Sequence, residues 1–181
     1  RPRIAPYLHI PLQSGDNAIL QAMGRRYSAD QFRTTLETAF SQISGLGAGT
    51  DVIAGFPGEQ EASFDRTLAL LDSLPLHNIH AFPFSERPGT RATHHRKTVP
   101  PNVRKARVRR LASLAEKKRS EIIQRRLGTP THVLIEERLS DGTGRGWSGE
   151  YLEATVRNSP PPGSLIPVKI LAPFEKGFLG E

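Results

Sequence analysis

Three short stretches carry the residue types best suited to chemistry: Gln13-Ser14-Gly15, Gly55-Phe56-Pro57-Gly58-Glu59, and Ser85-Glu86-Arg87-Pro88-Gly89-Thr90. Each follows a short apolar run that reads as a β-strand. Gln13 and Ser14 offer donors and acceptors suited to ribose hydroxyls, and Arg87 is a forked donor for phosphate or carboxylate. Gly55 and Gly58 let main chain approach a ligand closely or adopt positive φ. Glu59 either accepts from an amine or opens the next helix, where the helix dipole favours a carboxylate. A single glycine-rich turn is equally well explained by the geometry of a strand-to-helix connection. Three polar or glycine-rich strand ends together point to a ligand, because parallel α/β architectures bind beyond the carboxyl ends of their strands.

The elements that must position these ends alternate. YLHIPLQ, GTDVIAGF and HNIHAFPF read as strands, with SADQFRTTLETAFSQI and EASFDRTLALLDSL as amphipathic helices between them. Strand, helix, strand, helix implies parallel βαβ units. Ser28 and Gln31 have capping-box spacing, and Phe32, Leu36, Ala39, Phe40 and Ile43 recur at helical intervals, which predicts a helix over 29–43. In the following helix Phe64, Leu68 and Leu71 form the inward stripe. Too few strands are present to close an eight-stranded barrel, and a sheet starting at Tyr7 has an unpaired edge, so a further segment upstream is expected. From Asn102 to Leu127 a long helix is expected, with Val108, Leu111, Ala112, Ala115 and Ile122 as its apolar stripe. After Gly128 short alternating segments separated by SDGTGRGWSG and NSPPPG suggest about five strands in a small barrel.

Charge and composition narrow the partners. The chain has 25 Lys plus Arg against 18 Asp plus Glu, a net charge of +7, and no cysteine. A polyanion is the expected partner. The long helix concentrates the excess: Arg104, Lys105, Arg107, Arg109, Arg110, Lys117, Lys118, Arg119, Arg125 and Arg126 against Glu116 and Glu121. That is either a solvated face or a surface for phosphates, and the imbalance favours phosphates. Without cysteine there is no disulfide, thiolate metal site or cysteine nucleophile here. His9 and His80 lie within strands and His94-His95 in a loop, and no metal site is expected from their spacing. No Ser-His-Asp order, P-loop or GxGxxG appears. No run is long enough to span a membrane and no signal peptide is visible, so the chain reads as soluble and cytoplasmic.

HIPLQSG, LQAMGRRY, TDVIAGFPGE and HAFPFSERPGTRA, in this order and at these separations, resemble the radical S-adenosylmethionine methylthiotransferases. The resemblance implies the carboxy-terminal part of a partial TIM-like α/β barrel over residues 1–126, followed by a small all-β, RNA-binding TRAM domain over 127–181. It places Gln13 and Ser14 beside the cofactor's ribose and methionyl groups. The backbone of Gly55, Phe56, Pro57, Gly58 and Glu59 would lie against S-adenosylmethionine. Arg25 falls on a Met-x-Arg element, and Arg87, Gly89 and Thr90 on an Arg-x-Gly-Thr element expected at the substrate mouth. In GRGWSGEYLEATV, Ser148 and Glu150 replace the Thr and Asn usual in TRAM domains.

The family's cysteine loop for a [4Fe–4S] cluster and its amino-terminal domain precede the region matching Tyr7. This chain alone is therefore expected to be inactive, completed by those missing domains. A tRNA anticodon stem-loop is the implied partner, gripped by Arg104, Lys105, Arg109 and Arg110 on the helix and by Arg145, Trp147 and Tyr151 on the barrel. RRYS and HAFPFS resemble the branch acting on threonylcarbamoyl-adenosine, with the isopentenyl-adenosine branch as the alternative. A second class of function also stands: an RNA-binding chain without the catalytic apparatus.

Overall fold

A computed structural model of the chain describes residues 4–87, 89 and 98–181. In chain order the elements are β1 (Tyr7–His9), α1 (Asn17–Ala22), α2 (Ala29–Gln42), β2 (Gly47–Ala54), α3 (Glu61–Ser73), β3 (Asn78–Pro83) and α4 (Pro101–Arg125). Then follow β4 (Pro130–Arg138), β5 (Gly144–Ser148), β6 (Glu153–Val156), β7 (Leu165–Phe174) and β8 (Gly177–Gly180). Two units separate: His9–Ile43 with Ala48–Ala115, and residues 4–8 with Ser44–Gly47 and Glu116–Glu181.

A three-stranded sheet has the order β1-β2-β3, with β2 and β3 parallel, and all of β3 and all but the first residue of β2 belong to the first unit. β1 is shorter than the alternation predicts. Pro11 has no N–H to continue a ladder, so the chain beyond His9 stays extended through other bonds. The buried Thr50 hydroxyl donates to the Ile10 carbonyl at 2.8 Å and accepts from the Leu12 amide at 3.0 Å. Gln13 then makes a single parallel bridge to Val52. α2 begins as its sequence dictates: Ser28 accepts from the Gln31 amide while the Gln31 side chain accepts from the Ser28 amide. The helix buries Phe32 and Leu36. α1 is a short helix whose C-cap is Met23. Asp16 caps it, accepting from the Ile19 amide at 3.0 Å and from Arg66 Nε at 2.6 Å. The core gathers Leu12, Phe32, Leu36, Val52, Phe64, Leu71, Leu74, Leu76 and, from α4, Leu111 and Ala115. Ala112, expected in the helix stripe, is exposed.

The second unit is a closed five-stranded barrel, β4-β5-β6-β8-β7, with β6 and β8 parallel. Closure leaves no strand edge open to another chain. Its core of Val133, Ile135, Leu152, Ala154, Val156, Val168, Ile170 and Phe178 also takes in Ile123 from the end of α4. Ser148 and Glu150 work inside this unit. The Ser148 hydroxyl accepts from the Leu152 amide at 3.2 Å. Glu150 pairs with Arg126 at 2.6 Å and accepts from the Thr131 hydroxyl at 3.0 Å.

Burial pushes the Glu150 carboxyl up, but the charge and hydrogen bond of Arg126 outweigh it and hold the group below its ordinary value. A depressed folded-state pKa stabilises the fold above the unfolded-state value, and that stability is lost as pH falls through the folded-state value. Glu150→Gln is therefore expected to lose about 1–3 kcal/mol at neutral pH, with the difference from the parent chain shrinking towards acid. Urea melts followed by the fluorescence of Trp147, the single tryptophan, at neutral and acid pH measure it; an equal deficit at both would remove Glu150 ionisation as the cause.

Candidate functional site

One or two residues of each stretch singled out in the sequence, Gln13, Phe56, Ser85 and Arg87, come together in the first unit. They belong to a cleft of about 750 Å³ lined by Gln13, Arg25, Asp51, Phe56, Phe84 and Arg87, with Ala22, Met23, Gly24, Ile53, Phe82, Pro83 and Ser85 completing it. That volume is in the range of small-molecule and cofactor sites, about 300–1,000 Å³. Gln13 sits at φ 69°. Its amide donates to the Asp51 carbonyl at 2.8 Å and its carbonyl accepts from Ile53 at 2.9 Å, which pins it against β2. Phe84 is fixed by its amide N–H, which donates to the Ala54 carbonyl at 2.8 Å, and by an edge-on contact with Phe56 at 5.3 Å between ring centres. Aromatic walls with a few polar groups and two guanidinium side chains suit a nucleoside bearing an anionic group.

Other residues expected to touch the cofactor face inward. Ser14 is fully buried, its hydroxyl accepting from the Asp16 amide at 3.2 Å and lying 3.4 Å from the Thr67 hydroxyl. Gly15 explains why: a Cβ there would lie 2.6 Å from Thr67 Cα, so only glycine lets this loop lie against α3. Glu59, also buried, accepts from the Gly55 amide at 2.6 Å and from Arg107 Nη1 at 2.7 Å. Its desolvation raises the pKa, and the Gly55 amide and Arg107 offset only part of the rise. Glu59 thus holds the turn together from within. Gly55 has φ 80°, and a Cβ on it would collide with the Arg104 side chain, so its bareness accommodates a neighbour inside the protein. Pro57 is buried and Gly58 exposed, and neither is among the cleft's lining residues.

The basic residues divide similarly. Arg104 donates to the carbonyls of Val99 at 2.7 Å and Phe84 at 2.8 Å, bracing the third strand end. Arg110 pairs with Glu61 and, at 2.8 Å, with Asp65. Lys105 and Arg109 are exposed and unpaired among the described residues. In the barrel unit Arg145 lies 3.6 Å from Glu175. Tyr151, at φ 65°, is stacked between Trp147 at 4.7 Å and Tyr7 at 4.8 Å. Tyr151 nonetheless remains 48% exposed, so the stack presents aromatic surface to solvent. Thr90 lies outside the described residues, as do His94 and His95.

The histidine spacing points to no metal site, but the sheet brings two histidines to one carboxylate. Strand register places Asp51 opposite His80. Asp51 Oδ1 lies 2.9 Å from His9 Nε2 and 3.3 Å from His80 Nδ1. Spacing along the chain hides this, because three separate strands contribute. Met23, Phe82 and Asp51 were likewise missed as site residues; only Asp51, a charged residue within an otherwise uncharged strand before the glycines, left a signal.

No family model matches the chain. Relatives do. A tRNA-2-methylthio-N(6)-dimethylallyladenosine synthase from Clavibacter michiganensis is 36% identical over 185 residues, covering 96% of this chain and 35% of that protein. The corresponding synthase from Aquifex aeolicus is 33% identical over 182 residues, covering 99% and 41%. The threonylcarbamoyladenosine tRNA methylthiotransferase MtaB of Aquifex aeolicus is 37% identical over 135 residues, covering 75% and 33%. The chain belongs to the radical S-adenosylmethionine methylthiotransferase family. It spans between a third and two fifths of the length of these relatives.

Gly55→Ala is expected to destabilise the first unit by about 2 kcal/mol or more, from positive φ together with overpacking. Combining it with Arg104→Ala should give less than the sum of the single losses, since the collision is relieved. Urea denaturation of the four chains tests this, and strict additivity would show that the two side chains do not compete.

Proposed function

We propose that the chain is the carboxy-terminal portion of a tRNA methylthiotransferase, contributing part of the S-adenosylmethionine site and a small RNA-binding barrel of TRAM type. The observation that carries this is the cleft at the strand ends, in a chain nearly all of which aligns with part of such enzymes. S-adenosylmethionine supplies radical and methyl chemistry when bound. Gln13 and Phe56 would hold its nucleoside, with Gln13 fixed by β2 and Phe56 by Phe84. Arg25 and Arg87 would orient anionic groups at the mouth. The turn 55–59 acts from beneath, its geometry set by Glu59 and Arg107. Cluster ligands do not fit here, since the chain has no cysteine, and no radical step is assigned to its residues. In this reading they bind, orient and exclude water.

The substrate is proposed to be the modified adenosine beside the tRNA anticodon. RRYS and HAFPFS favour threonylcarbamoyl-adenosine. The isopentenyl (dimethylallyl) alternative is supported by synthases of that type that match 96% and 99% of the chain. Each unit offers RNA its own surface: Lys105 and Arg109 on α4, and the Trp147 end of the aromatic stack on the barrel.

Binding of a tRNA anticodon stem-loop is expected to weaken with salt. Neutralising Lys105 and Arg109 should flatten the slope of log affinity against log salt by roughly 0.7–0.9 per lost phosphate contact. Trp147→Ala should leave the slope nearly unchanged and lose about 1–3 kcal/mol of binding, as stacking on a base requires. Filter binding across a salt series, with circular dichroism melts of each variant, separates these outcomes. A wild-type slope near zero overturns RNA binding, and stem-loops carrying the two modified adenosines distinguish the substrate readings.

A further inference from the structure

His9, Asp51 and His80 come from three adjacent strands and present one ligand atom each, two imidazole nitrogens and a carboxylate oxygen, all within 4.8 Å of one another. From this geometry we infer a divalent transition-metal site, of the kind taken by Zn²⁺, on this face of the sheet. Imidazole nitrogen and carboxylate oxygen bind zinc at about 2.0–2.2 Å, so ligand atoms around one ion stand roughly 3–4 Å apart. Asp51 Oδ1 is already 2.9 Å from one imidazole nitrogen and 3.3 Å from the other. The two rings are 5.2 Å apart at 33°, so a small rotation brings the nitrogens to a common ion.

The scaffold is rigid where it matters. Asp51 and His80 are register partners in a parallel ladder, and the Asp51 carbonyl anchors Gln13. The carboxylate is only partly exposed, at 29%, and it also lines the cleft. Two histidines and one carboxylate leave coordination positions open, so the ion can hold water or a ligand oxygen or nitrogen from the cleft. No other such group of three occurs among the described residues. The site needs neither the iron–sulfur cluster nor tRNA, and the inference stands apart from the proposed function.

The contrary reading is that Asp51 only accepts hydrogen bonds from both rings. Titration of the chain with Co²⁺, followed by visible absorption, and with Zn²⁺ by calorimetry separates the two. One saturating ion per chain is expected, with the spectrum of a nitrogen- and oxygen-ligated cobalt. His80→Ala and Asp51→Asn should each weaken binding at least tenfold. His132→Ala and a His94→Ala/His95→Ala double variant should not. His80 is 58% exposed, so its replacement is the substitution least able to disturb folding, and circular dichroism confirms it. Absence of saturable binding, or equal affinity in His80→Ala and the parent chain, overturns the site.

Discussion

The buried pair of Glu59 and Arg107 ties the turn after β2 to α4, and the geometry of the cleft follows from it. One carboxylate oxygen of Glu59 takes both the Gly55 amide and Arg107 Nη1, while Arg107 Nη2 reaches Glu61 at 3.0 Å. Glu59 Oε1 and Arg107 Nε have no hydrogen-bond partner among the described residues. A pair so buried and incompletely satisfied adds little net stability, because desolvating two charges offsets most of their attraction. What it supplies is position. With the turn fixed at Gly55, Arg104 can lie across it and donate to Phe84, and Phe84 in turn sets Phe56 at the cleft wall. Arg107 and Arg110 also lie over the Phe64 ring, at 5.2 and 4.8 Å, so the same side chains cover the core beneath.

The barrel unit uses a comparable device. Glu150 joins Arg126 to Thr131, and Ser148 closes the turn that holds Tyr151 at positive φ. A tyrosine in that conformation is strained. Its two stacking partners, worth about 0.5–1.5 kcal/mol each beyond buried area, offset the strain. Ser148 and Glu150 are therefore polar groups whose bonds are made within the protein. These side chains shape the aromatic surface without being part of it.

Periodicity made the elements legible. The capping box of Ser28 and Gln31, the Phe64–Leu71 stripe and the five short strands after Gly128 all followed from local rules, which act over a few residues. The location of the cleft was legible too, because strand ends are marked by glycine and polar residues. The direction of individual side chains was not. Ser14 and Glu59 looked like ligand groups but turn inward, since their partners Thr67 and Arg107 lie 53 and 48 residues away. The His9–Asp51–His80 group was hidden for the same reason: register between strands, set by the whole sheet, decides it.

The charge of α4 shows how far composition and surface can diverge. The sequence offers a dense run of cations, yet Arg104, Arg107 and Arg110 bond within the first unit and Arg126 pairs with Glu150. Lys118 is buried, and Lys117 lies 3.9 Å from Glu121. Each cation so engaged must give up a partner before it can neutralise a phosphate, and the buried ones cannot reach one. Counterion release counts only phosphates actually contacted. The helix therefore leaves few cations available to any phosphate, Lys105 and Arg109 foremost, and much of its arginine content serves the packing of the β2–α3 turn.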